Sequence, residues 1–239
     1  MGMKNQQNTK LKLGVLKELG IFPREFAEKI IRSISTHIPN LESVIDVGHA
    51  KDLRPVRELA RRFEDTRFVY YDNNESYIRN LRTQREAANS GLPARVIIAS
   101  PEDVQQHTPF QLAVYYYTLH HFHDQGQSPL QSLQEIWQML EPGALVLVKD
   151  YHLRDPSGRP LSKQDVKTLF EQTLNEKKIV TEGSGKFEPD WYGHVDYDLT
   201  KCQRDAKQAG FAEVEAHVEQ ILGMNKFFLY VGRKPKNDE

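Results

Sequence analysis

Phe110-Gln111-Leu112-Ala113-Val114-Tyr115-Tyr116-Tyr117-Thr118-Leu119-His120-His121-Phe122 is an apolar run that ends in two adjacent imidazoles. Its β-branched and aromatic residues suit a strand buried on both faces, which places the histidines just past the strand's carboxyl end. Two upstream segments have a similar form, an apolar run with an acid at or near its end: Val44-Ile45-Asp46-Val47-Gly48 and Val69-Tyr70-Tyr71-Asp72. In open parallel sheets ligands bind outside the carboxyl ends of the strands, where strand order reverses. Order and spacing of the three segments point to one crevice.

Working outward, strands and helices alternate. Strands are expected at 43–47, 67–71, 94–99, 112–117 and 144–149, with the turn Glu141-Pro142-Gly143 before the last. Helices are expected from Pro23 to Ile34, Val56 to Phe63, Ser76 to Ala88 and Leu130 to Leu140. Alternation at these lengths means right-handed crossovers and a parallel sheet covered on both faces. Beyond Tyr151 the order loosens. A helix from about Ser162 to Glu176 lies between Asp155-Pro156-Ser157-Gly158 and Gly183-Ser184-Gly185, and Thr200 to Ala209 reads as a helix stopped by Gly210. Ala212 to Glu219 and Lys226 to Arg233 read as two strands joined by a turn containing Gly223.

Composition narrows the partners. Lys and Arg total 32 against 33 for Asp and Glu, well dispersed, which leaves no basic footprint for nucleic acid. A lone cysteine, Cys202, excludes an internal disulfide framework and suits a reducing compartment. No apolar run approaches the ~20 residues of a membrane span. Met1 to Lys10 is polar rather than signal-like, and Gln6 stands where myristoylation after Gly2 wants Ser or Thr. The expectation is a soluble, cytoplasmic protein with no membrane partner; the oligomeric state is not readable.

Together the three segments resemble those of class I S-adenosylmethionine-dependent methyltransferases, with Leu119-His120-His121-Phe122 closing the fourth-strand motif. The resemblance runs from about Leu41 to Lys234. It implies an α/β fold, a doubly wound, mostly parallel seven-stranded sheet with an antiparallel C-terminal strand. Residues 1–40 would form an N-terminal tail and helical cap and residues 41–239 the methyltransferase-like domain, with a substrate cap inserted at about 152–199. It further implies S-adenosylmethionine as cofactor and a small-molecule or peptide acceptor. The glycine-rich loop departs from the pattern, since Asp46-Val47-Gly48-His49-Ala50-Lys51-Asp52 keeps the acid and the first glycine but carries Ala50 and Asp52 at the second and third.

On this resemblance Asp46, Gly48, His49 and Ala50 line the cofactor loop. Asp72, beside Asn73, ends the second strand, where a carboxylate can take both ribose hydroxyls. Ser100-Pro101-Glu102 follows the third strand; the adenine contact comes from Ser100, a backbone amide or Glu102, unless Ser-Pro-Glu-Asp is simply a helix start. Gln111 replaces the usual Asp of the fourth strand. Tyr115 and Tyr116 replace smaller residues near the methionine end, where Tyr116 would offer its carbonyl or its ring to the sulfonium; otherwise they are strand formers. His120-His121-Phe122-His123-Asp124 invites a metal reading, but neighbouring residues rarely converge on one ion, and no metal is expected. His121, Tyr151 and His152 are the acceptor-side candidates, with Trp191, Tyr192, His194, Tyr197 and Asp198 in the cap. A catalytically inactive methyltransferase-like binding or scaffold protein is the alternative. A nicotinamide oxidoreductase would need Gly-x-Gly-x-x-Gly after the first strand, which His49-Ala50-Lys51-Asp52 does not supply.

Overall fold

The computed structural model describes residues 32–48, 59–60, 63–86, 93, 95–116, 118–120, 122, 127–155, 157–162, 164–165, 197–221 and 224–236. Its strands are β1 (Ser43–Val47), β2 (Arg67–Tyr71), β3 (Ile97–Ala99), β4 (Phe110–Tyr116), β5 (Leu140–Arg154), β6 (Ala212–Ile221) and β7 (Met224–Arg233). The named helices are α1 (Glu75–Glu86), α2 (Pro129–Met139) and α3 (Leu199–Ala209), and residues 32–37 are also helical.

All seven strands form one sheet in the order β3-β2-β1-β4-β5-β7-β6. Pairings from β3 through β5 are parallel, and β7 runs antiparallel to both β5 and β6. The single reversed strand expected from the resemblance is therefore β7. Side chains alternate across the sheet, as the twofold period of a strand requires. Ala113 and Tyr115 join a core with Leu133 and Ile136 of α2 and Cys202 and Ala206 of α3. Leu112, Val114 and Tyr116 join the opposite core with Ile78 and Leu81 of α1, and with Ile34, Leu59 and Ala60. Helices thus cover both faces, so the parallel strands can be apolar throughout.

Local sequence explains where the helices begin and end. Ser128 and Gln131 cap α2 reciprocally, each side chain accepting from the other's amide, with Pro129 in the first turn. Asp198 caps α3 through the Lys201 amide, and Gly210 ends it in the left-handed region at φ +104°. Replacing Gly210 by Ala forces an L side chain into that region and sets a Cβ 2.9 Å from Trp137 Nε1. The expected loss is about 2 kcal/mol, or about 4–8 °C in melting temperature. An unchanged melting curve would refute that account of the position.

β3 and β5 depart most in length from their sequence patterns. β3 is shorter because the Val96 amide turns back to the Pro93 carbonyl, and the Arg95 guanidinium is drawn to the carbonyls of Phe63, Glu64 and Thr66. β5 is longer at both ends. It continues to Arg154 because β7 pairs with it as far as Arg154↔Asn225. Tyr151 and His152 are therefore strand residues rather than the start of a cap. The helices expected at Pro23 to Ile34 and Ser162 to Glu176 lie mostly outside the described residues, as does much of that expected at Val56 to Phe63. No helix among the described residues is long and apolar enough to cross a membrane.

Candidate functional site

β1 has β2 on one side and β4 on the other, so strand order reverses beside it. Gly48 follows β1, and its amide donates to the Tyr71 carbonyl at 2.8 Å, which carries the β1–β2 ladder into the loop. A Cβ at Gly48 would overlap the ring and hydroxyl of Tyr70, so the glycine is required by packing from β2. His49 and Ala50 lie outside the described residues. Asp46 is buried on the same face as Tyr70, with which it pairs in register.

Asp72 is 1% exposed at the end of β2. Its Oδ1 accepts from the Asn74 amide at 2.8 Å and its Oδ2 from Tyr70 Oη at 3.4 Å. Asn74 in turn accepts from the Tyr77 amide at 3.1 Å and starts α1. A carboxylate has about four acceptor sites in all, two of which these bonds use. Asn73 Nδ2 donates to Gln127 Oε1 at 2.8 Å, and Gln127 Nε2 donates to Glu135 Oε1 at 3.1 Å. This chain ties the β2 turn to α2. Burial raises the Glu135 carboxyl. Burial, then the charges of Glu135 and Asp72, push the Tyr71 phenol up to about 12.

After β3, the amide and hydroxyl of Ser100 both donate to Asp103 Oδ1, at 2.6 and 3.2 Å, while Pro101 and Glu102 are exposed. A short 3-10 turn, Val104–His107, stands in place of a full helix. In β4, Gln111 lies at the opposite, amino-terminal edge, where its Oε1 accepts from the Glu42 amide at 2.7 Å. Tyr115 is fully buried against α2, with its hydroxyl 3.1 Å from the Ser132 carbonyl and 2.9 Å from Ser132 Oγ. The Tyr116 carbonyl accepts from Thr118 Oγ1 at 3.0 Å, and its ring packs in the α1-side core. The Tyr116 backbone thus meets the residues that follow β4.

On the far side of the reversal, Asp150 of β5 and His120 meet. His120 Nδ1 lies 2.5 Å from Asp150 Oδ1, and the His120 amide donates to Oδ2 at 3.3 Å. Both side chains are essentially inaccessible, at 1% and 0% exposure. The Tyr151 amide also donates to Oδ1, at 2.8 Å, and the Tyr151 ring meets His120 edge-on at 5.1 Å and Phe227 at 5.7 Å. A carboxylate holding Nδ1–H fixes the imidazole tautomer and leaves Nε2 as the basic nitrogen. His152 is turned elsewhere: its Nδ1 accepts from the Leu199 amide at 3.4 Å, and Arg154 pairs with Asp198 just beyond. Burial lowers the His152 pKa, with Asp198 opposing and Arg154 reinforcing.

The structure thus brings Asp46, Gly48, Asp72, Asn73, Tyr116 and Tyr151 to the carboxyl edge of the sheet, sets Tyr115 in a helix-side core, and ties His152 to α3. His121, Trp191, Tyr192 and His194 lie outside the described residues. Sequence reasoning passed over Asp150 and gave His120 no role beyond the fourth-strand motif and a metal possibility. The signal available was an acid closing the apolar core of the fifth strand. Among the described residues no group of three or more His, Cys, Asp or Glu could hold a metal ion.

No protein-family model matches this chain, and no curated protein matches it in sequence. Solved structures do. An O-methyltransferase family protein from Burkholderia thailandensis aligns at TM-score 0.53 and 12% identity over 89% of this chain and 57% of its own. PigF, solved with SAH, aligns at 0.52 and 16% over 89% of this chain and 57% of its own. A methyltransferase candidate from Bacillus halodurans C-125 aligns at 0.52 and 16%, over 88% of this chain and 99% of its own. This chain therefore spans somewhat more than half the length of the first two and nearly all of the third. Identities this low speak to architecture alone, and the architecture is the Rossmann-like fold of the class I methyltransferases.

Proposed function

We propose that the protein is an S-adenosylmethionine-dependent methyltransferase acting on a hydroxyl of a small-molecule acceptor. One observation carries this reading: Asp72 and the His120–Asp150 pair flank the strand-order reversal from its two sides, at the same edge of the sheet. The cofactor would supply an electrophilic methyl on a sulfonium. Asp72 would hold its ribose hydroxyls, and Tyr116 would border the methionine end. His120, held in one tautomer by Asp150, would take the acceptor proton through Nε2, which is buried and would have to be uncovered as the acceptor binds. Transfer is an in-line displacement whose barrier falls chiefly through positioning, which buried strand ends provide.

The alternative, a methyltransferase-like binding protein without turnover, draws on Ala50 and Asp52 in the glycine loop. Gln111 and Tyr115 lend it no support, because one lies at the far edge of the sheet and the other in a helix-side core. A small acceptor is in keeping with the near-neutral charge, and with Tyr151, Leu153 and Phe227 on the extended β5–β7 ladder.

Calorimetry with S-adenosylhomocysteine tests the cofactor. The folded protein is expected to bind it, and Asp72→Ala to weaken binding about 100-fold through loss of two hydrogen bonds to a charged group. Failure of the wild type to bind would end the reading.

A further inference from the structure

Arg82 of α1 reaches across to the turn that follows β3. Its Nε and Nη2 donate to the Ile98 carbonyl at 3.2 and 2.7 Å, and Nη2 also reaches Asp103 Oδ2 at 2.5 Å. The other oxygen of Asp103 takes both donors of Ser100. In return the Asp103 and Val104 amides donate to the Ser100 carbonyl at 3.2 and 3.0 Å. The segment from Ser100 to Val104 is therefore closed around one carboxylate, and an arginine from a different element holds that carboxylate. Burial alone would raise the Asp103 carboxyl, but hydrogen bonds from Arg82 and the Ser100 amide, with the Arg82 charge, hold it below its ordinary value.

This arrangement does little for global stability. The two side chains are 41% and 32% exposed, and ion pairs that open to water contribute little. What it determines is local shape. With Arg82 gone, Asp103 loses its anchor to α1, and the Ser100 turn can relax away from the end of β3. β3 has only three residues and sits at the edge of the sheet, so no further strand among the described residues restrains that shift from its outer side.

We propose that Arg82 is a positioning residue for the nucleoside end of the crevice, fixing through Asp103 the turn against which the adenine lies. This rests on the methyltransferase reading above. Because the Ser100 hydroxyl and amide are both committed to Asp103, the adenine meets the backbone surface of the turn rather than the Ser100 side chain. Arg82 and the turn that it holds lie beside β3, at the other end of the parallel strands from the His120–Asp150 pair, so its loss acts on binding and leaves the chemistry alone.

The test is calorimetry on the full chain with two probes, adenosine and S-adenosylhomocysteine, using Arg82→Ala, Arg82→Lys and Asp103→Asn. Arg82→Ala should weaken both probes by the same factor, about tenfold, because a preorganised surface has been loosened. Arg82→Lys should recover part of the loss. The Arg82→Ala/Asp103→Asn double variant should bind no worse than the weaker single, since both act on one link. Turnover at saturating cofactor should be unchanged. If Arg82→Ala does not fold, Arg82→Lys and Asp103→Asn carry the comparison. Wild-type affinity in the variants, a loss confined to S-adenosylhomocysteine, or a fall in kcat at unchanged affinity would each overturn the proposal while the cofactor reading stood. A wild type that binds neither probe overturns both.

Discussion

Asp150→Asn should leave the protein folded and cut methyl transfer by about 10²–10⁴-fold. The carboxylate accepts from both Nδ1 and the amide of His120. The Tyr151 amide shares Oδ1 with Nδ1, so an asparagine keeps its oxygen there and must turn an NH₂ toward the His120 amide. The imidazole then keeps its tautomer but loses the negative charge that stabilises it once Nε2 has taken the acceptor proton. Ring ¹⁵N shifts of His120 give a readout independent of the acceptor: Nδ1 protonated in the wild type and in the variant. Release of S-adenosylhomocysteine with a panel of small phenols and alcohols gives the rate. His120→Ala should match the rate loss. If Asp150→Asn keeps the wild-type turnover, the pair is only a packing device.

Gly48→Ala should be the most disruptive single methyl in the crevice. The added Cβ would overlap Oη, Cζ and Cε2 of Tyr70, a rigid ring that is 2% exposed. The ring cannot step aside without displacing its β2 neighbours or leaving Asp72, which its hydroxyl touches at 3.4 Å. Overpacking of this kind costs about 1–3 kcal/mol, a fall of roughly 3–10 °C in melting temperature for a chain of this size. Affinity for S-adenosylhomocysteine should fall as well, because Asp72 moves with the ring. Trimming the partner in Gly48→Ala/Tyr70→Leu should restore part of the melting temperature, as relief of one clash requires. A Gly48→Ala protein that melts like the wild type would show that the ring has room to move.

Those two residues also show what a single sequence makes legible. Among the described residues strand and helix existence followed from local periodicity, and Gly48 with Asp72 was readable because each lies directly after a short apolar run. Strand ends were another matter. β5 looked finished at Lys149 because polar residues follow, yet its last five residues persist through pairing with β7, a contact that no local window contains. β3 looked longer because Ala94 to Ala99 is apolar apart from Arg95, but the Val96 amide turns back to the Pro93 carbonyl instead of joining the ladder. The His120–Asp150 pair was hidden for a similar reason. Its members lie 30 residues apart, and each is ordinary until the β4–β5 pairing brings them together. Gln111 and Tyr115 erred in the other direction, counted as departures within a site that neither side chain faces.

The two borders of the sheet differ in construction but lead to the same result. At one border β3 offers only three residues, and the Arg82 guanidinium already covers the Ile98 carbonyl. At the other, β6 is long, but its pairing slips at Glu213/Glu215 and again at Glu219/Gln220, and the carboxylates of Glu213 and Glu215 stand along it. Irregular, charged or very short margins are poor templates for a foreign strand. The same guanidinium that steadies a turn therefore also guards the molecule against edge-to-edge aggregation.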